Sequence, residues 1–80
     1  MEVCKPLSVY AFWDDEANVW VASSEDVPGL ATEAKNWDEL IAKLKVMIPE
    51  LLDANGYPGG DAIPFRVRGE INEVAHRAAA

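Results

Sequence analysis

From Leu7 to Trp13 the side chains alternate in the sequence, with Leu7, Val9, Ala11 and Trp13 on one side and Ser8, Tyr10 and Phe12 on the other. A period of two in a stretch rich in Val, Tyr, Phe and Trp predicts a β-strand. Asp14-Asp15-Glu16-Ala17-Asn18 then predicts a turn, because Asp and Asn side chains bond turn backbone and Asn tolerates positive φ. Val19 to Ala22 is apolar again and predicts the return strand of a hairpin. Pro28-Gly29 marks a second turn, and Leu30 to Ala34 predicts a third, short strand. Three strands joined by short turns make an antiparallel meander.

The period then changes. Trp37, Leu40, Ile41, Leu44, Ile48, Leu51 and Leu52 recur at three- and four-residue steps and predict one apolar stripe along a helix. Asn36 is placed as its N-cap, and Glu39 three residues later completes a capping-box pattern. Pro49 lacks an N–H and its ring clashes with the carbonyl of Lys45, so a kink is expected there, or a break with Pro49 opening a second short helix. Asn55-Gly56 ends the helix with Gly56 in the C′ role. Tyr57 to Asp61 predicts a loop, and Ala62 to Arg68 a fourth strand with Ile63, Phe65 and Val67 inward and Arg66 and Arg68 outward. Pro64 points to an edge strand or a strand start. Ile71 to Ala80 is open between a last helical turn and a frayed tail.

One apolar helix stripe requires one apolar sheet face, which gives an α+β, two-layer sandwich in the order β-β-β-α-β. The expected organisation is one domain over residues 1–80, with its core at about 7–68 and a tail from 69 to 80. The second sheet face is left partly bare. Tyr10, Phe12 and Trp20 either line that bare face or, if the register slips by one residue, sit in the core.

Composition sharpens this picture through charge. The chain has 80 residues, 14 Asp and Glu against 7 Lys and Arg, and a net charge of −7. Residues 1–40 hold nine acids and two bases, whereas residues 41–80 hold five of each, so the imbalance lies in the strand-rich half. Such a surface repels nucleic acid and attracts a basic protein. The alternative is a solvated, solubilising surface. No apolar run is long enough for a membrane span, and MEVCKPLS predicts no secretory signal. Cys4 is the one cysteine, which excludes an internal disulfide and fits a cytoplasmic setting. A chain this small buries only about 60% of its unfolded surface, so self-association, as a homodimer, is expected.

Candidate chemistry is sparse. Asp14, Asp15 and Glu16 could ligate a hard cation, but three consecutive turn residues point different ways and lack calcium-loop spacing. Glu25-Asp26 is read the same way, as a solvated turn. His76 is the one histidine and lies in the tail, with no Ser or Cys at a recognisable spacing. Cys4 beside Lys5 has no evident base, and Gly59-Gly60 lacks the lysine and helix of a phosphate loop. No catalytic residue, metal ligand or cofactor site is therefore expected. Arg66 and Arg68 make a small basic spot, read as pairing with acids.

The stretch FWDDEANVWVASSEDVPGLATEAKNWDELIAKLKVMIPELL resembles the HicB-like antitoxin family. Asp14, Trp20, Val21, Asp26, Pro28, Gly29, Thr32, Ala34, Asp38 and Glu39 occupy the family's pattern, and the resemblance covers roughly residues 7–68. It implies a truncated RNase-H-like sheet with one packed helix. The implied function is neutralisation, by direct binding, of a small basic messenger-RNA-cleaving toxin of the HicA-like kind. Many members add a DNA-binding segment, for which the residues after the fourth strand are too few. Combined with the charge, the resemblance nominates Asp14, Asp15, Glu16, Trp20, Glu25 and Asp26 as partner-binding residues. Two alternatives stand beside it: an oligomeric domain of this fold with a drifted role, and a metal-dependent nucleic-acid-processing enzyme. Against the enzyme, the inner positions of the fourth strand and of the helix are apolar, where metal-assisted hydrolysis needs converging carboxylates.

Overall fold

A computed structural model describes residues 6–58, 60 and 62–78, so Cys4, Lys5, Gly59, Asp61 and the last two alanines lie outside the described residues. The elements are β1 (Leu7–Asp14), β2 (Val19–Ser23), β3 (Ala31–Ala34), α1 (Trp37–Ala54) and β4 (Phe65–Glu70). They form one four-stranded sheet in the order β3-β2-β1-β4 with the helix on one face. The meander is antiparallel as expected, but β4 pairs parallel to β1, so the sheet is mixed. The helix carries the chain from the β3 edge across to the β4 edge, and a connection of that length is what parallel strands require.

The hairpin register decides which residues face the helix. Asp14 closes opposite Val19, which places Trp13 opposite Trp20 and Ala11 opposite Ala22. Val9, Ala11, Ala22 and Ala34 meet Leu40, Leu44, Ile48 and Leu52 in the buried core, and Val27 and Leu30 close it from the turn. Those four helix residues recur every four positions on one stripe, which is why the sequence period was informative. Three small alanines on the sheet let the helix approach closely.

Both helix ends are built by their caps. The Asn36 side-chain oxygen accepts from the Glu39 N–H at 2.8 Å, and the Asn36 amide donates to the Glu39 carboxylate at 3.1 Å. At the other end Gly56 has φ +67°, its N–H donates to the Asp53 carbonyl at 3.1 Å, and the Tyr57 N–H donates to Leu52 at 2.9 Å. That pair of bonds is the Schellman arrangement.

Three expectations need correction. The helix runs through Pro49 as one element from Trp37 to Ala54, so the second short helix does not form. Pro49 forfeits one intrahelical bond, while Ile48 and Leu52 on either side are buried and hold both halves to the same sheet. The fourth strand is Phe65–Glu70 and not Ala62–Arg68, because pairing begins where the Leu7 N–H donates to the Pro64 carbonyl at 3.0 Å. Its inward and outward residues keep the expected parity. Leu30 precedes β3 and belongs to the turn, where its N–H donates to the Val27 carbonyl at 3.1 Å across Pro28-Gly29. With Pro at the second position and Gly29 at φ +85°, this is type II geometry. Residues 71–78 form neither a helical turn nor a strand and are exposed throughout.

Candidate binding face

One helix covers one face of the sheet, so among the described residues the opposite face is bare. Along β1 that face presents Ser8, Tyr10 and Phe12, with Tyr10 45% and Phe12 44% exposed. Phe12 lies between Val21 of β2 and Glu70 of β4, and Tyr10 between Ser23 and Arg68. The Tyr10 hydroxyl donates to Glu70 Oε1 at 2.5 Å. That hydrogen bond favours the protonated phenol and raises the Tyr10 pKa above its ordinary 10.0, with smaller contributions from desolvation and the Glu70 charge. A shallow groove of about 760 Å³ runs beside Tyr10, lined among others by Ser24, Asp26, Arg68 and Glu70.

The nominated acids divide into two kinds. Asp14 Oδ1 accepts from the backbone N–H groups of Glu16 at 3.0 Å and Ala17 at 3.3 Å, so it builds its own turn. Asp26 Oδ2 accepts from the Ser8 N–H at 2.8 Å, while the Ser24 hydroxyl donates to the Ser8 carbonyl at 2.6 Å. Two side chains thus continue the ladder beyond the last β1–β2 pair, where β2 has already turned away. The same Ser24 oxygen accepts from Asp26 and Val27, which folds the turn back on itself. Asp14 and Asp26 are therefore held by backbone, and Asp15, Glu16 and Glu25 are exposed. The structure does not gather these acids into one patch. Asp14 ends β1 and Asp26 caps its start, and at about 3.3 Å per residue the two ends are roughly 20 Å apart.

Trp20 is not on the bare face. It packs against the core on the helix side, edge-on to Trp13 at 5.6 Å and to Trp37 at 5.0 Å between ring centroids. The hairpin pairs it with Trp13, whose side faces inward, so Trp20 stands on the face opposite Tyr10 and Phe12. Sequence reasoning missed the meeting of Tyr10, Arg68 and Glu70, which are 60 residues apart at the extremes. Only the parallel pairing of β4 to β1 brings them together, and no local pattern encodes it.

Among the described residues no three His, Cys, Asp or Glu side chains are placed to hold a metal ion. His76 is exposed in the segment after β4. No described helix is long and apolar enough to cross a membrane.

A family model described as a domain of unknown function (DUF1902) matches residues 6–77. The crystal structure of a hypothetical protein, TTHA1013, from the extremely thermophilic bacterium Thermus thermophilus is 51% identical in sequence. It aligns over 90% of this chain and 99% of its own, with a TM-score of 0.69. No curated protein matches the sequence.

Proposed function

We propose that this chain, which belongs to the DUF1902 family, is a protein-binding domain of HicB-like antitoxin type. Its partner is a small basic protein, a HicA-like messenger-RNA-cleaving toxin that it neutralises by direct contact in the cytoplasm. The observation that carries this reading is the bare sheet face, where exposed Tyr10 and Phe12 stand between two acidic ends. An exposed aromatic centre with a charged rim suits a protein interface, because aromatics supply contact area and the rim steers encounter. The β-β-β-α-β order agrees with what the resemblance implies for a truncated RNase-H-like sheet. The excess of 14 acids over 7 bases favours a basic partner. In this reading Phe12 and Tyr10 are the anchors, and Asp15, Glu16 and Glu25 form the rim. The domain carries no catalytic residue of its own and needs no cofactor.

The test is binding of the purified chain to the products of its neighbouring reading frames, by calorimetry at low and at physiological salt. Affinity is expected to fall as salt rises, since exposed charges are screened over about 8–10 Å. Phe12→Ala is expected to weaken binding by tenfold or more, as for an interface anchor worth about 1.4 kcal/mol or above. Absence of binding, or binding that ignores both salt and Phe12, refutes the proposal.

A further inference from the structure

The sheet has an open side that the fold leaves unused. β4 is the last strand in the order β3-β2-β1-β4 and, among the described residues, pairs with β1 alone. Because the Pro64 carbonyl faces Leu7, the alternation of a parallel ladder turns the N–H and C=O groups of Phe65, Val67 and Gly69 outward. β4 has six residues and contains no proline, whereas the other edge, β3, has only four. Natural edges are commonly blunted with charge. Here the outward charges run Arg66, Arg68, Glu70, and that order changes sign partway along the strand.

We propose that a second copy of this chain lays its own β4 antiparallel against this edge, with the two Gly69 residues facing each other across a two-fold axis. The charges select that register. Centring the pair on Val67 sets Arg66 opposite Arg68 of the second copy. Centring it on Arg68 sets two arginines together at the axis, and centring it on Glu70 does the same with two glutamates. Centring it on Gly69 opposes no like charges and sets Arg68 of each copy opposite Glu70 of the other. Opposite charges directly across a strand pair stabilise it and like charges destabilise it. Glu70 is steadied for this role by the Tyr10 hydroxyl.

The same register gives the chain beyond β4 something to lie against. Ile71 is 45% and Val74 78% exposed, and residues 71–78 are all exposed. The molecule is drawn out to 61 Å along one axis against 28 and 19 Å along the others. Yet the family model extends through residue 77, so this segment belongs to the family's domain. In the Gly69-centred pair Ile71 falls opposite the half-buried Val67 of the second copy, on the helix side of the joined sheet. The contact is isologous and closes on itself through the backbone of the sheet edge, with its Arg68–Glu70 pairs at the margin of the bare face beside Tyr10.

The test is sedimentation equilibrium of the full chain from about 1 μM to 1 mM, a range that spans weak to moderate association. The wild type is expected to be a dimer. Arg68→Glu alone, and Glu70→Arg alone, are each expected to weaken dimerisation by at least about tenfold, since each opposes like charges at both ends of the contact. The double variant R68E/E70R is expected to restore the dimer, and an equimolar mixture of the two single variants to form a heterodimer. Circular dichroism checks that each variant is folded. A monomeric wild type overturns the proposal. So do single variants as dimeric as the wild type, which place the contact elsewhere, and so does a double variant that stays monomeric, which excludes the Gly69 register. Because no other protein enters the experiment, its outcome is independent of the antitoxin reading.

Discussion

Gly69 is expected to be the least replaceable residue of β4, and the reason lies on the far side of the sheet. A Cβ at this position would sit 2.7 Å from Trp37 Cζ3, 2.9 Å from Trp37 Cη2 and 3.2 Å from Trp20 Cζ3. Ordinary carbon contacts lie at about 3.5–4.0 Å, so the Trp37 ring must retreat by roughly 1 Å. It has little freedom to do so, being held edge-on against Trp20 at 5.0 Å and anchored on the first turn of the helix. Overpacking of this kind costs about 1–3 kcal/mol. Removing a glycine from a strand recovers about 0.5–1 kcal/mol of backbone entropy. Gly69→Ala should therefore destabilise by about 1–2 kcal/mol net, or lower Tm by roughly 4–16 °C in a domain of this size. The mechanism is separable from a general intolerance of β4. In a Trp37→Leu background the closer ring is gone and only the 3.2 Å approach to Trp20 remains, so Gly69→Ala should cost markedly less there. Urea unfolding of the four proteins, followed by circular dichroism at one protein concentration, gives the coupling energy directly. A Gly69→Ala cost below about 0.5 kcal/mol, or an equal cost in both backgrounds, refutes the reasoning.

Two further outcomes follow from the outer face and its edges. Tyr10 should titrate above pH 10.0 in the folded chain, because its hydroxyl donates to Glu70. A raised folded pKa contributes stability that is present below the unfolded value and lost as pH climbs through the folded one, so the link from β1 to β4 weakens only in strong alkali. With Tyr57→Phe removing the second tyrosine, tyrosinate absorbance should show Glu70→Ala lowering the Tyr10 midpoint; an unchanged midpoint dismisses the contact. Asp26→Ala should cost about 1 kcal/mol by leaving the Ser8 N–H without its acceptor, whereas Asp15→Asn should stay within about 0.5 kcal/mol. Equal effects of the two in chemical denaturation would show that Asp26 holds no backbone.

Much of the fold was legible because it is local. The Asn36–Glu39 cap, the Asn55-Gly56 stop and the Pro28-Gly29 turn are each written in adjacent residues, and each forms the bonds its residue types predict. The helix stripe of Leu40, Leu44, Ile48 and Leu52 was readable because burial on one side imposes a period on the chain. The face of Trp20 was not readable from Val19–Ala22 alone. It depends on how many residues the hairpin loop takes, and Asn18 at φ +58° with its N–H bonded to the Asp14 carbonyl sets that number.

The roles of the acids were hidden for a related reason. Asp14, Asp15, Glu16, Glu25 and Asp26 look alike as formal charges. Only their distance from unpaired backbone N–H groups separates Asp14 and Asp26, which complete turns and ladders, from Asp15, Glu16 and Glu25. By itself the sequence determined the elements, their caps and the helix stripe, since these follow from neighbours in the chain, whereas which side of β1 faces the helix was settled by burial in the folded sheet. The tertiary structure alone decided that β4 lies parallel to β1, that Tyr10 meets Glu70, and that Trp37 closes over Gly69. Those contacts join residues dozens of positions apart, and their energy exists only after the helix has crossed the sheet and brought the two edges into register.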